Sequence, residues 1–354
     1  MTYYYLGHLA TAVLVVLSGV QAAVGYNLAV AAFFAIGVQT AFGLGLNLTE
    51  RRLYGFAAAF LTMVSGFPAG FMQLVSYLSE PDNPWFQNFP GSLIEWFSAF
   101  DFTNATGIIP HTIDFYPFFV FLQGDLHAHF ISIPFLLTLI GLCLALSKQF
   151  SWTTFSAALV VTGFLVGLNA WNLPVSLFLL AWTAYAATKK KAFLYVIGLA
   201  GCIFAASLLV GGLVGIVDPP LQRTDVSGFL LIFGGVFTFI SVAYLIDAHT
   251  FSRKDGLIAI SAIVVVAIAF LLNFPLAIAA LLAIPFFYRA WFHEEYPALL
   301  AGIALMMILF CEVFFINDPP YGSPPYERMN TVMKFYLQAW VFWGGLRLHI
   351  FSSG

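Results

Sequence analysis

The feature that most constrains this chain is a succession of apolar runs, each close to the ~20 residues that an α-helix needs to cross a bilayer. Ala128 to Ser147 is the cleanest of them, uncharged from end to end. Similar windows lie near Tyr26 to Leu46, Leu53 to Leu78, Trp152 to Leu168, Val175 to Ala187 and Ala192 to Val217, then Phe229 to Ile246, Leu257 to Leu272, Pro275 to Trp291, Ala298 to Ile316 and Met329 to Leu348. With 61% hydrophobic and 8% charged residues, no water-soluble core could bury this much apolar surface. The expected fold is all-α, a polytopic transmembrane bundle of about eleven spans forming one domain over residues 1–354 of a cell membrane protein. Tyr4 to Val20 fits less easily and reads as an interfacial or half-inserted helix. No basic stretch precedes it, so no cleavable leader is expected.

Charge placement orders the spans. Arg51, Arg52, Lys148, Lys189 to Lys191, Arg253, Lys254, Arg289 and Arg347 recur at alternate ends, which marks that side as cytoplasmic. The opposite side is acidic, with Glu80, Asp82, Glu95, Asp101, Asp114, Asp125, Asp218, Asp225, Glu312, Asp318 and Glu327. Only Arg223, Arg328 and Lys334 carry positive charge there. The net charge of -3 and the scatter of basic residues offer no stripe for nucleic acid. Cys143, Cys202 and Cys311 sit inside apolar segments and read as packing residues.

The outer side also carries the longest polar connection, residues 79–116, long enough to be a cover or a binding surface. Within it, LIEWFSAF suits a short amphipathic helix on the membrane. Ser79 to Tyr116, Asp218 to Gly228 and Asn317 to Arg328 are the three connections expected on this one, non-cytoplasmic side.

Asp125, His127 and His129 form the densest ionisable cluster, at the mouth of the Ala128 span. If extended, all three point one way; on a helix, only Asp125 and His129 share a face. Either arrangement could hold a divalent metal or an acid/base pair, and Asp125 could equally cap the helix after a turn at Gly124. Asn330, Lys334 and Gln338 recur every fourth residue and stripe one side of the last helix. Lys334 must pair or face water there, and Glu312 is the expected partner. Polar LNAWNLPVS, residues 168–176, reads as an interfacial turn.

TYYYLGHL at the start, FYPFFVFLQGDLHAHFISIPF in the middle and ERMNTVMKFYLQAW near the end resemble, in order, the signature stretches of the YYY membrane protein family, also known as DUF2298. That family in turn resembles the GT-C superfamily of integral-membrane glycosyltransferases, which take sugars from polyprenyl-phosphate carriers on the outer side. The resemblance implies a GT-C-like fold and a transferase whose catalytic groups are Asp125, His127, His129 and Asp114. It implies donor binding by Arg223, Arg328, Asn330, Lys334 and Glu312, with a divalent metal at Asp125, His127 and His129. Two departures stand out: Ala128 replaces the usual proline of GDLHPH, and Asp114 lies two residues before Tyr116. The essential acidic residue of GT-C enzymes lies in a first outer loop, so a further helix and loop, or a partner chain, is expected to supply it. A transporter or lipid-binding protein without catalysis, or an inactive fragment, is the other reading these features allow. A transporter would show repeated halves with broken helices, and no repeat is visible.

Overall fold

The structure is a computed structural model. It describes residues 5–79, 89–188, 217–238 except 219 and 221, 279–316 and 323–346, with isolated positions between 260 and 276. The expected spans at Ala192 to Val217 and Leu257 to Leu272 therefore lie almost wholly outside the described residues.

Helix α1 (Leu6–Ser18) stops at Gly19, whose φ of 69° takes the left-handed turn that favours glycine. It packs on α2 (Ala22–Thr49), α7 (Ala128–Lys148) and α8 (Trp152–Leu168). The α7 contact is close because Gly7 has no side chain: a Cβ there would come within 2.9 Å of Ile131. Among the described residues, three helices are long and apolar enough to cross a membrane: α2, α7 and α12 (Tyr296–Val313). A fourth span is counted if α3 (Arg52–Ala59), which runs on as a π-helix over Phe60–Val64, is joined to α4 (Pro68–Leu78).

That last pair corrects an expectation, because Leu53 to Leu78 is not one straight helix. The chain turns by 83° between Val64 and Pro68. Pro68 has no N–H to continue the ladder and forces Phe67 into an extended conformation, at ψ 151°. Gly66 lets another element into the bend, since even a Cβ there would sit 3.2 Å from the ring of Tyr116. Phe67 meets the rings of both Tyr116 and Trp340 edge-on.

The remaining elements are α5 (Phe89–Ala99), α6 (Pro117–Leu122), α9 (Asn172–Thr188), a short helix α10 (Val226–Phe229) continuing as a π-helix to Thr238, α11 (Ala280–Phe292) and α13 (Met329–Leu346). Helix α5 contains the expected amphipathic segment, with Ile94 and Phe97 exposed. Two short strands, β1 (Val217–Asp218) and β2 (Phe315–Ile316), pair antiparallel and bring the segment before α10 against the end of α12. The span expected at Ala298 to Ile316 thus ends in this strand.

The core lies where α7, α12 and α13 meet. Helix α7 is buried on nearly every side, as expected of a span apolar all round. The Tyr296 hydroxyl donates to the Ile140 carbonyl at 2.7 Å, tying α12 to α7. Cys143 and Cys311 are buried and free, in keeping with packing roles, whereas Cys202 lies outside the described residues.

The charges separate along the bundle. At one end Lys148 donates to the Asn47 carbonyl at 3.3 Å, beside Arg51 and Arg52, and Arg289 pairs with Glu295 at 2.8 Å. At the other end of α2 and α7, the amide of Leu126 donates to the Tyr26 hydroxyl at 2.9 Å. Glu312 and Arg328 lie at the end of α12 and the start of α13.

Candidate functional site

The polar residues singled out in the sequence divide into two groups. The first is built where three connections meet: residues 107–116 before α6, residues 222–225 before α10, and residues 323–328 before α13. Each contributes a wall to a cleft of about 80 Å3, through Thr112, Arg223, Glu327 and Arg328 among others. His111 and Tyr326 meet edge-on across two of these connections, 5.3 Å apart.

Beneath the cleft lies a buried ion pair. Glu312 is fully buried, and its carboxylate takes three donors: the Thr224 amide at 2.8 Å, the Thr224 hydroxyl at 2.7 Å and the Arg328 guanidinium. Arg328 also donates to the Gln222 carbonyl at 3.1 Å and the Thr224 hydroxyl at 2.9 Å. Glu327 accepts from the Gln222 amide at 3.2 Å. A carboxylate and a guanidinium can be buried together because each neutralises the other and hydrogen bonds from Thr224 and to Gln222 fill most of their remaining positions; among the described residues only Arg328 Nε of the pair is left without a partner. This corrects the pairing expected for Glu312: its partner is Arg328, not Lys334. Arg328 occupies the loop just before α13, close to the end of α12, whereas Lys334 sits well over a turn further along the helix on another face.

Asp114 lies behind the same cleft wall. It is 1% exposed, and its Oδ2 accepts from the Ile108 amide at 2.8 Å within the 107–116 connection. Its Oδ1 has no hydrogen bond among the described residues. Burial pushes its pKa up to about 7, against the opposing pull of nearby backbone amides led by that of Ile108. A carboxyl that titrates near neutrality can exchange a proton with a substrate hydroxyl.

The second group gathers at the mouth of α7. Gly124, at φ 73°, makes the expected turn. The helix is capped by His127, not Asp125: the imidazole Nδ1 accepts from the His129 amide at 3.4 Å. Asp125, whose amide bonds back to the Val120 carbonyl at 3.2 Å, and the extended His127 precede α7, which starts at Ala128, so the trio is split between two geometries. Asp125 is exposed, His127 half-buried and His129 buried. Among the described residues, no three His, Cys, Asp or Glu side chains are placed to hold a metal ion, these three included. Burial lowers the pKa of His127; nearby His8 and Lys334 act the same way, and Asp125 opposes them. Lys334, 4% exposed, thus belongs with the histidines, its ammonium 5.8 Å from the centre of the Trp171 ring. Asn330, one turn before Lys334, is half-buried at the start of α13.

Several participants carried no signal in the sequence. Thr224 and Gln222 are an ordinary loop pair until β1 and β2 bring them to Glu312. The LNAWNLPVS segment makes the expected turn between α8 and α9, and its Asn169 and Asn172 are buried, at 1% and 0% exposure. The Gln338 amide donates to the Trp171 carbonyl at 3.3 Å, which docks the start of α9 on α13. A hint was present, in that two asparagines flank a tryptophan between two apolar runs.

No curated protein and no solved structure matches this chain. A family model does, over residues 1–343, covering both polar groups and every described helix of the core. The chain accordingly belongs to the uncharacterized membrane protein family DUF2298.

Proposed function

We propose that this protein is a GT-C-like glycosyltransferase, or its membrane core, that takes a sugar from a polyprenyl-phosphate carrier on the non-cytoplasmic face of a cell membrane. The observation that carries this reading is the convergence of Arg223 and Arg328 on one small cleft, beside the connection that holds Asp114. The exposed guanidinium of Arg223, on an otherwise acidic side, suits a phosphate, which it can bind with paired, charge-assisted hydrogen bonds, while Arg328 lines the cleft with its terminal nitrogens held by Glu312, Gln222 and Thr224. The cleft is of the size of a single phosphoryl group, which leaves the sugar and the lipid chain outside it.

In this mechanism the acceptor hydroxyl attacks the anomeric carbon of the sugar. The new carbon–oxygen bond forms as the bond from that carbon to the phosphate oxygen breaks. Asp114 takes the acceptor proton, and Arg223 and Arg328 stabilise the charge gathering on the departing polyprenyl phosphate. His127 and Lys334 form a separate polar station, and no step is assigned to a metal.

The test is equilibrium binding of a short polyprenyl phosphate to the protein in lipid nanodiscs, with the matching polyprenol as control. Arg223 is exposed, so Arg223→Ala removes charge with little effect on packing. It should weaken phosphate binding by roughly ten- to a hundredfold, the value of a charge-assisted hydrogen bond. Equal affinity for the phosphate and the alcohol would refute the reading.

The second class, a lipid-binding or transport protein, draws support from the 83° break between Val64 and Pro68, since broken helices frame transport sites. Incubation with a radiolabelled sugar–phosphate–lipid decides between them. Transfer of label that is lost in Asp114→Asn supports the enzyme; phosphate-dependent binding with no transfer supports the carrier.

A further inference from the structure

Three polar side chains deep in the bundle make hydrogen bonds that leave one atom of each unsatisfied, or make none. Asn172 and Ser176 are fully buried, one turn apart on the same face of α9, and Gln338 is 2% exposed on α13. Among the described residues, Asn172 Nδ2, Ser176 Oγ and Gln338 Oε1 have no hydrogen-bond partner. Gln338 Nε2 donates to the carbonyl of Trp171, the residue before Asn172, which brings the Gln338 amide to the start of α9.

That bond also fixes polarity. With Nε2 held by Trp171, the open atom of Gln338 is an acceptor. Asn172 Oδ1 accepts from Asn169 Nδ2 at 3.4 Å, so the open atom of Asn172 is a donor. The Ser176 hydroxyl can serve as either. A donor, an acceptor and a group that can be both are what a hydroxyl needs, since a hydroxyl gives one hydrogen bond and receives others. An anion would meet the lone pairs of Gln338, and a cation would meet the ammonium of Lys334 beside Trp171.

We propose that the seam between the start of α9 and α13 is a recognition site for the hydroxyl groups of a sugar or similar polyol, reached from the mouth at Asp125 and His127. The proposal does not depend on phosphate binding at the arginine cleft, which involves other residues and another probe. Ordered water would satisfy the same atoms, and it is the rival to be tested.

The protein in nanodiscs, free of glycoside detergents, is titrated with methyl glucoside and followed by saturation-transfer NMR. A fully O-methylated glucoside, which can accept but not donate, is the control. Saturable binding of the first and not the second is expected, weakened roughly tenfold by Asn172→Leu or by Gln338→Met, the loss of about one hydrogen bond. Ser176→Ala, the mildest change, should weaken it severalfold while leaving thermal unfolding near wild type, so a folding defect is distinguished from a lost contact. Equal binding of the two glucosides, or wild-type affinity in all three variants, overturns the proposal. So does the absence of saturable binding; the seam would then hold water alone, and Gln338→Met would leave stability unchanged or raise it. A loss of polyprenyl-phosphate affinity in Arg223→Ala with methyl glucoside still bound, or the converse, shows which of the two sites fails.

Discussion

Glu312 and Arg328 provide the sharpest test of how this end of the bundle is held. Glu312→Gln keeps the shape of the side chain but removes its charge, leaving the guanidinium of Arg328, at 3% exposure, with neutral acceptors alone: the new amide oxygen, the Gln222 carbonyl and the Thr224 hydroxyl. An uncompensated buried charge costs about 3–5 kcal/mol. Arg328→Met inverts the problem, since the carboxylate keeps its two bonds from Thr224 but loses its counter-charge. Together the two substitutions leave a neutral site that lacks the three hydrogen bonds of Arg328, for a cost of about 3 kcal/mol at ~1 kcal/mol each. The single costs would sum to at least ~6 kcal/mol, so the double mutant should be more stable than additivity predicts by about 3 kcal/mol or more.

The assay is a double-mutant cycle by reversible denaturant unfolding in mixed micelles, followed by tryptophan fluorescence. Trp340 reports on this region because its indole N–H donates to the Thr62 carbonyl at 3.0 Å in the core of α13. Single mutants within about 1 kcal/mol of wild type, or a double mutant equal to the sum of the singles, would refute the reasoning. The first result would mean that water reaches the pair and screens it.

Further predictions follow from single contacts. Asp114 has a raised pKa, so the native state holds its proton while the unfolded chain has released it; its contribution to stability is present below pH ~3.8 and lost as pH rises through about 7. Asp114→Asn should abolish that decline and stabilise the protein at pH 8, as read by thermal unfolding across pH; an unchanged slope would show the carboxyl to be wetter than its burial implies. Tyr296→Phe should cost about 1–2 kcal/mol in denaturant unfolding, because the fully buried Ile140 carbonyl loses its side-chain donor. Gly55→Ala should cost about 1–3 kcal/mol by overpacking, since the added Cβ would come 2.8 Å from the Phe42 ring and 3.0 Å from the Phe42 carbonyl oxygen. A cysteine at Asp101 should be labelled by an impermeant maleimide from outside intact cells, and one at Arg51 only after permeabilisation; the reverse result would invert the orientation.

What the sequence made legible was governed by range. The apolar runs of α2, α7 and α12 appear as helices near their expected limits because a bilayer-length apolar segment has no other way to satisfy its backbone. The gathering of three connections at one end followed from charge alone, and so did the presence of Arg223 and Arg328 among them. Hydropathy failed where composition is apolar but geometry is not. Leu53 to Leu78 is hydrophobic throughout, yet Gly66 and Pro68 carry a bend that averaging over a window hides. The partner of Glu312 was missed for a different reason. Lys334 and Arg328 are both available cations in the sequence, and the choice between them depends on which face of α13 looks toward α12, set by long-range packing and by the pairing of β1 with β2.

The same reasoning explains why the two polar groups have different characters. At the arginine cleft, buried charges are matched within the protein, and the exposed Arg223 stands at the rim where a phosphate could join the network without unburying anything. At the seam of α9 and α13, the neutral amides and hydroxyl are only partly matched, and Lys334 lies next to them against Trp171. Deep in a bundle, neutral polar atoms left open cost far less than an open charge would, so they are the groups a membrane protein can keep ready for a ligand. Charged groups must instead be paired at all times, as Glu312 and Arg328 are, or kept where water reaches them, as Asp125 is. A substrate with a phosphate at one end and hydroxyls at the other would draw on both solutions, with its charge at the rim and its neutral groups inside.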